Sequence, residues 1–208
     1  KDYHKVVLSY LQTGAKDLKT LYPHHDFLCL VDSGKVLEKE IALSAGLGFR
    51  GKNSLIINPL LGSYFFIGVI LTTAPIPKVF SHWLNFEGCK DCQRCIKACP
   101  AKALDNNGLN ASLCISYLNQ NKKEALGNWH SSLWGCDLCQ MGCPYNLKPL
   151  EKPLKDFSFR FDLKLLQANN LTNLEFDKVS NALPLKWGKR KTMVRNLQFL
   201  AKNRENVF

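Results

Sequence analysis

Cysteine spacing constrains this chain more than any other feature. Cys89, Cys92, Cys95 and Cys99, followed by Pro100, read C-x2-C-x2-C-x3-C-P, the run used by bacterial two-cluster ferredoxins. Cys136, Cys139 and Cys143, followed by Pro144, form a second run, and Cys114 lies upstream as a detached fourth ligand. In such runs the cysteine before the proline ligates the other cluster. That exchange predicts one [4Fe–4S] cluster on Cys89, Cys92, Cys95 and Cys143, and a second on Cys99, Cys114, Cys136 and Cys139. Two sets of four are filled, and thiolate is the soft ligand such iron requires.

Zinc is the competing ligand chemistry, since two C-x2-C pairs can build a ribbon site. Three cysteines each two residues apart and then a C-P fit it poorly. A disulfide framework belongs to shorter secreted chains in an oxidising compartment. The ninth cysteine, Cys29, sits in the apolar stretch Phe27 to Val31 and reads as a buried, inert thiol.

The 208 residues leave room for one ordinary domain and a smaller module. No run of about eighteen apolar residues exists, so no membrane span is expected. The polar start, Lys1 to Lys5, shows no signal peptide and does not begin with Met, so a fragment of a longer protein is expected; the protein is also expected to be cytoplasmic and monomeric. The formal net charge of +11 points to a polyanionic partner, most simply nucleic acid. The charge is uneven: Lys186, Lys189, Arg190, Lys191, Arg195, Lys202 and Arg204 meet no acid in that stretch.

Along the chain, residues 2–21 read as a helix with Val6, Val7, Tyr10 and Leu11 on one face. Residues 27–31 read as a short buried strand, with Asp32 at its end. A helix over 36–45 closes at Gly46 as a left-handed cap. Strands follow over 55–58 and 63–73, joined by a turn at Asn58-Pro59. This alternation predicts an α/β or α+β layer. Pro75 and Pro77 mark a linker, residues 112–123 read as a helix carrying Cys114, and the remainder is helical. The expected divisions are residues 1–86, an α/β segment; 87–147, a ferredoxin-like two-cluster module; and 148–208, a basic helical segment.

Gly46 to Gly51 matches G-x-G-x-x-G, and with Lys52 nearly matches a phosphate-binding loop. Those loops need a strand before and a helix after, so that phosphate meets a helix N-terminus. Here the order is reversed, and Asn53 replaces the hydroxyl residue that would touch magnesium. The glycines instead suggest a backbone pressed against a flat ligand or against the sheet.

Several stretches beyond the cysteines resemble the epoxyqueuosine reductase family. They are Asp2-Tyr3-His4-Lys5; Val31-Asp32-Ser33-Gly34 with Val36-Leu37-Glu38; Gly46 to Asn53; and Gly62 to Phe66. Further on come Cys114-Ile115-Ser116-Tyr117-Leu118, Gly135 to Gln140, and Arg195-Asn196. Lys35 stands where the family usually has proline, and Asn121 where it often has glutamate. The resemblance implies the C-terminal part of a cobalamin-binding α/β domain followed by the dicluster module. It implies reduction of an epoxide in tRNA to the alkene, the last step of queuosine synthesis, with electrons from an external donor.

The same resemblance implies roles for residues. Asp32 matches the proton donor. Asp32, Ser116, Lys123, Cys136 and Asp137, with Ile56 and Ile67, match cobalamin contacts. Lys52 and Asn53 hold either a corrin side chain or loop carbonyls. His4 and His130 show no partner pattern and read as core or surface residues. The tail and Lys122-Lys123 are expected to meet the tRNA backbone. Two other classes fit parts of the pattern: a dicluster ferredoxin-type electron carrier, and a corrinoid iron–sulfur reductive dehalogenase. Cobalamin in the purified protein separates it from the first, and turnover of an organohalide would favour the second.

Overall fold

The computed structural model describes residues 2–32, 34–75, 88–121, 126–127, 132–147, 155–157, 172–180, 183 and 189–205. The chain divides into two compact units. The first comprises Lys1–Asp91 with Pro144–Phe157, and the second Cys92–Cys143 with Ser158–Phe208.

The first unit is built on α1 (Tyr3–Leu21), whose N-cap Asp2 accepts a hydrogen bond from the His4 amide. Capping of this kind satisfies an amide that the helix itself leaves open. Val6 is buried. Gly68 lets the helix lie close, since a Cβ there would come within 2.8 Å of both Val7 and Leu11. Beneath it β1 (Phe27–Leu30) pairs antiparallel with β4 (Val69–Thr72), Phe27 opposite Thr72 and Leu30 opposite Val69. The predicted strand over 63–73 is thus reduced to its last part. At its start the Ser63 amide donates to Asn146 Oδ1 at 2.7 Å, and Asn146 Nδ2 donates back to Ser63 Oγ at 2.9 Å. A side chain there takes the place of a strand neighbour.

Helix α2 (Glu38–Ser44) is shorter than the predicted 36–45, with Glu38 and Glu40 in its first turn where the helix dipole favours acids. Gly46, at φ +69°, ends it as predicted. The glycine loop then forms an unexpected strand, β2 (Phe49–Arg50), paired antiparallel with β3 (Ile56–Ile57). A Cβ on Gly48 would fall on the Ile57 carbonyl, 2.7 Å from its carbon. The glycines therefore press the backbone against the sheet, one of the two roles read from the sequence.

In the second unit α3 (Arg94–Ala98) packs on α5 (Leu138–Met141), the corresponding turns of the two cysteine runs. A β-hairpin, β5 (Leu104–Asp105) with β6 (Gly108–Leu109), follows α3. The helix predicted over 112–123 is interrupted. A 3-10 turn over Ala111–Leu113 leads to Cys114 in an extended conformation, and α4 (Ile115–Gln120) begins after it. Asn110 caps that turn by accepting from the Ser112 amide and hydroxyl, which sets the break. Farther on come α6 (Asn173–Ser180) and α7 (Lys189–Glu205). Phe176 and Met193 form their core with Leu133, Trp134 and Leu197 against it. Among the described residues no helix is long and apolar enough to cross a membrane.

Candidate functional site

In the first unit Tyr3, His4 and Asp32 come together. The Tyr3 hydroxyl donates to Asp32 Oδ2 at 2.5 Å, and His4 Nε2 lies 3.7 Å from the same oxygen. His4 Nδ1 is 2.7 Å from Asp2 Oδ1, which fixes the ring. The Tyr3 ring stacks on His4 at 4.0 Å and on Phe66 at 4.3 Å. Burial first, and the Asp32 carboxylate next, push the Tyr3 phenol well above its ordinary range. Asp32 itself is 67% exposed and holds φ at 44°, a left-handed conformation that aspartate tolerates better than most residues. A carboxylate at the surface with a phenol and an imidazole behind it can accept, hold and release a proton.

Sequence reasoning missed Tyr3 and His4 as site residues. Their signal was present, since both belong to the Asp2 to Lys5 stretch that carried part of the resemblance. Spacing alone could not show that α1 begins beside Asp32. His130 and Lys123 lie outside the described residues.

The same unit grips Cys89. The Lys52 amide lies 3.4 Å from Cys89 Sγ, and Lys52 Nζ donates to the Lys90 carbonyl at 2.8 Å. That carbonyl lies outside the glycine loop, so this bond is neither of the two roles read for Lys52 from the sequence. The Tyr145 hydroxyl reaches the Gly88 carbonyl at 3.5 Å, and its ring packs edge-on against Phe49. Asn53 is 4% exposed; its Oδ1 accepts from the Leu55 amide, while its Nδ2 is buried with no hydrogen-bond partner. Ile56 is buried in β3, and Ile67 is half-buried just before β4.

The second unit contains Cys92, Cys95, Cys99, Cys114, Cys136, Cys139 and Cys143. Burial pushes the Cys139 thiol up to about 12, and the charges of Cys136, Cys114 and Cys95 add to the rise. Burial likewise raises Cys136; the Leu138 amide opposes the rise, while Cys114, Asp137 and Cys99 reinforce it. Cys136, Cys114 and Cys95 are thus electrostatic neighbours of Cys139, and Cys114 and Cys99 of Cys136. Thiolates gathered in this way repel one another unless a cation sits among them. The Ala103 amide donates to Cys99 Sγ at 3.3 Å, the kind of bond that tunes a cluster's potential.

Among the described residues no three His, Cys, Asp or Glu side chains are placed to hold a single metal ion. Ser116 is half-buried and accepts from Gln120 Nε2 at 3.1 Å, a contact within its own helix. Asp137 is exposed at the start of α5 and accepts from Gln140 Nε2 at 2.7 Å.

Arg195 is half-buried and tied to its own unit. Its guanidinium donates to the carbonyls of Asn121 at 2.5 Å and Leu118 at 3.0 Å. Lys189, Lys191 and Lys202 on the same helix are exposed.

Spacing and neighbouring thiols together define an iron–sulfur protein of the two-cluster type, and residues 88–146 match the family described as "4Fe-4S double cluster binding domain". The whole chain is similar to the epoxyqueuosine reductase of Cyclobacterium marinum, with 35% identity over 96% of this chain. It is also similar to that of Pseudomonas aeruginosa, with 34% identity over 95% of this chain. It superposes on the structure of epoxyqueuosine reductase from Streptococcus thermophilus with a TM-score of 0.84 at 30% identity, covering 98% of this chain and 55% of that one. It also superposes on a crystal structure of epoxyqueuosine reductase with an epoxyqueuosine-modified tRNA-Tyr stem loop, at a TM-score of 0.83 and 29% identity, covering 100% of this chain and 56% of that one. The chain belongs to the epoxyqueuosine reductase family. It spans 66% of the length of the Cyclobacterium relative and 56% of that from Pseudomonas.

Proposed function

We propose that the protein to which this chain belongs reduces the epoxide of epoxyqueuosine in tRNA to the alkene. The observation that supports this most is 35% identity over 96% of the chain to a curated epoxyqueuosine reductase, joined to the meeting of Tyr3, His4 and Asp32. The reaction breaks both carbon–oxygen bonds of the epoxide, forms the carbon–carbon double bond and releases water. It consumes two electrons and two protons, and the electrons come from an external donor.

The residues present fit the two kinds of redox group that the family implies. Two [4Fe–4S] clusters would be held by the eight cysteines as assigned. For cobalamin, the Tyr3–Phe66 stack, with Phe66 half exposed, supplies a flat apolar surface beside the acid. The orphaned Asn53 amide suits an acceptor on the rim of a macrocycle. Asp32, Ile56 and Ile67 of the first unit would line it. When bound, these groups supply low-potential electrons, and the protein contributes orientation and proton delivery.

Expulsion of an alkoxide is unfavourable without a proton, so the acid is the decisive side chain. Asp32 delivers it to the departing oxygen. Tyr3 holds the carboxylate in place through Oδ2, and its raised phenol remains protonated while it does so. His4, on the same oxygen, restores the proton for the next turnover. Single-stranded anticodon loops present splayed bases that can reach an exposed carboxylate. The exposed lysines of α7 meet the backbone.

The test is anaerobic incubation of the holoprotein with a low-potential reductant and an epoxyqueuosine-containing anticodon stem–loop. Loss of one oxygen from the nucleoside, read by mass spectrometry, is the expected product. No conversion by a preparation carrying both clusters and cobalamin would refute the reading.

A further inference from the structure

Half-buried Arg195 and fully buried Asn196 pack against the cysteine-bearing part of their own unit, and their contacts form a continuous chain. Arg195 Nη1 donates to the Asn121 carbonyl, and Nη2 to the carbonyls of Leu118 and, at 3.4 Å, Asn119. These are the open carbonyls at the C-terminal end of α4, where a cation is also favoured by the helix dipole. Asn196, fully buried, accepts from Arg195 Nε at 3.0 Å and Nη2 at 2.8 Å. Its Nδ2 donates to the carbonyls of Asn119 and Leu133, both at 2.8 Å.

Asn119, also fully buried, carries the chain onward. Its Nδ2 donates to the Gly135 carbonyl at 2.7 Å, and its Oδ1 accepts from the Gly135 amide at 3.1 Å. Ser132 Oγ closes on the same carbonyl. Both polar groups of Gly135 are thus held, at φ +66°, one residue before Cys136. At the other end of α4, Cys114 immediately precedes Ile115. One short helix therefore carries a cluster ligand at its start and, through Asn119, clamps the residue before a second ligand at its end.

Resting on the two-cluster reading above, we propose that Arg195 and Asn196 are positioning residues of the second cluster, fixing the separation of Cys114 from Cys136. Their hydrogen bonds run to backbone carbonyls and to each other, so they act through α4 and the 133–135 segment. The basic helix α7 is thereby tied to one cluster's ligands and not merely to the surface.

Asn196→Asp tests this in the intact, anaerobically reconstituted protein. It keeps the acceptor for Arg195 and loses the two donated bonds. Electron paramagnetic resonance of the reduced protein and potentiometric titration read the clusters separately. The expected result is a shifted or lost second-cluster signal, with iron falling below the wild-type value of about eight per chain, two cubanes of four, and the first-cluster signal unchanged. Arg195→Lys should restore only part of the signal lost in Arg195→Ala, because an ammonium cannot make the guanidinium fork. Met193→Ala, in the apolar core of the same helix, is the control for lost stability. A second cluster unchanged in Asn196→Asp overturns the inference. So does the same spectroscopic change in Met193→Ala at equal loss of Tm. A wild-type protein that binds no clusters overturns instead the reading beneath it.

Discussion

The Tyr3 hydroxyl and the Asp32 carboxylate share a 2.5 Å hydrogen bond between the first turn of α1 and the residue just beyond β1. Twenty-nine positions apart in sequence, they meet because α1 lies across β1 and begins at the strand's C-terminal end. Asp32→Asn keeps the shape and removes the transferable proton. Its turnover should fall by a factor of about 10² to 10⁴, the range for a positioned acid. Iron content and Tm should match the wild type. Turnover within threefold of wild type would remove Asp32 from the role of proton donor.

Tyr3 has its own signature in alkali. Its pKa in the fold is raised by burial and by Asp32 above the ordinary value of 10.0. A raised value means that the folded state holds the proton more tightly. The associated stability is complete below pH 10 and is lost as pH rises through the folded value. Chemical denaturation from pH 9 upward should therefore show declining stability. Tyr3→Phe should flatten that decline, and a slope identical in both proteins would contradict the assignment.

The cluster cysteines predict the opposite pH trend for loading. Burial holds Cys139 near 12 and raises Cys136, so both are thiols at neutral pH in the metal-free protein. Iron binds thiolate, and binding releases those protons. Cluster assembly should be stronger at pH 8.5 than at pH 6.5, followed by the visible absorbance of the reconstituted protein. Equal assembly at both values would count against these thiols as ligands.

Much of this site was legible from particular residues. Cysteine spacing announced the two-cluster module that residues 88–146 match. The reversed order around Gly46 to Gly51 excluded a phosphate loop, and Gly48 does press against Ile57. What stayed hidden depended on partners distant in sequence. Ser63 looked like the start of a strand until Asn146 occupied its amide. Arg195 looked like one more tail cation, since nothing local reveals that the carbonyls of α4 lie within its reach. Tyr3 and His4 were hidden for the same reason: a helix start shows its periodicity but not the carboxylate it will face.

Close backbone approaches give a stability prediction. A methyl on Gly62 would meet the Tyr145 carbonyl at 2.8 Å and the Asn146 side chain closer still, at a backbone φ of +73°. Gly62→Ala should cost about 1–3 kcal/mol by overpacking, with left-handed strain in addition. Thermal denaturation of the holoprotein would measure it, and an unchanged Tm would mean that Tyr145 and Asn146 do not pack on Gly62.

Nucleic-acid binding should depend on Lys189, Lys191 and Lys202, the exposed cations of α7. Replacing any one with Gln should reduce the slope of log affinity against log salt by about 1 if that residue meets a phosphate. Fluorescence anisotropy of a labelled anticodon stem–loop supplies the slope. Three unchanged slopes would move the RNA surface elsewhere.

The most direct measurement is iron, acid-labile sulfide and cobalt per chain in oxygen-free holoprotein, taken alongside turnover of the epoxyqueuosine stem–loop. The account predicts about eight irons and as many sulfides, two cubanes in all, with one cobalt and a nucleoside lighter by one oxygen. Stoichiometric zinc with no labile sulfide, and a substrate recovered unchanged, would contradict it.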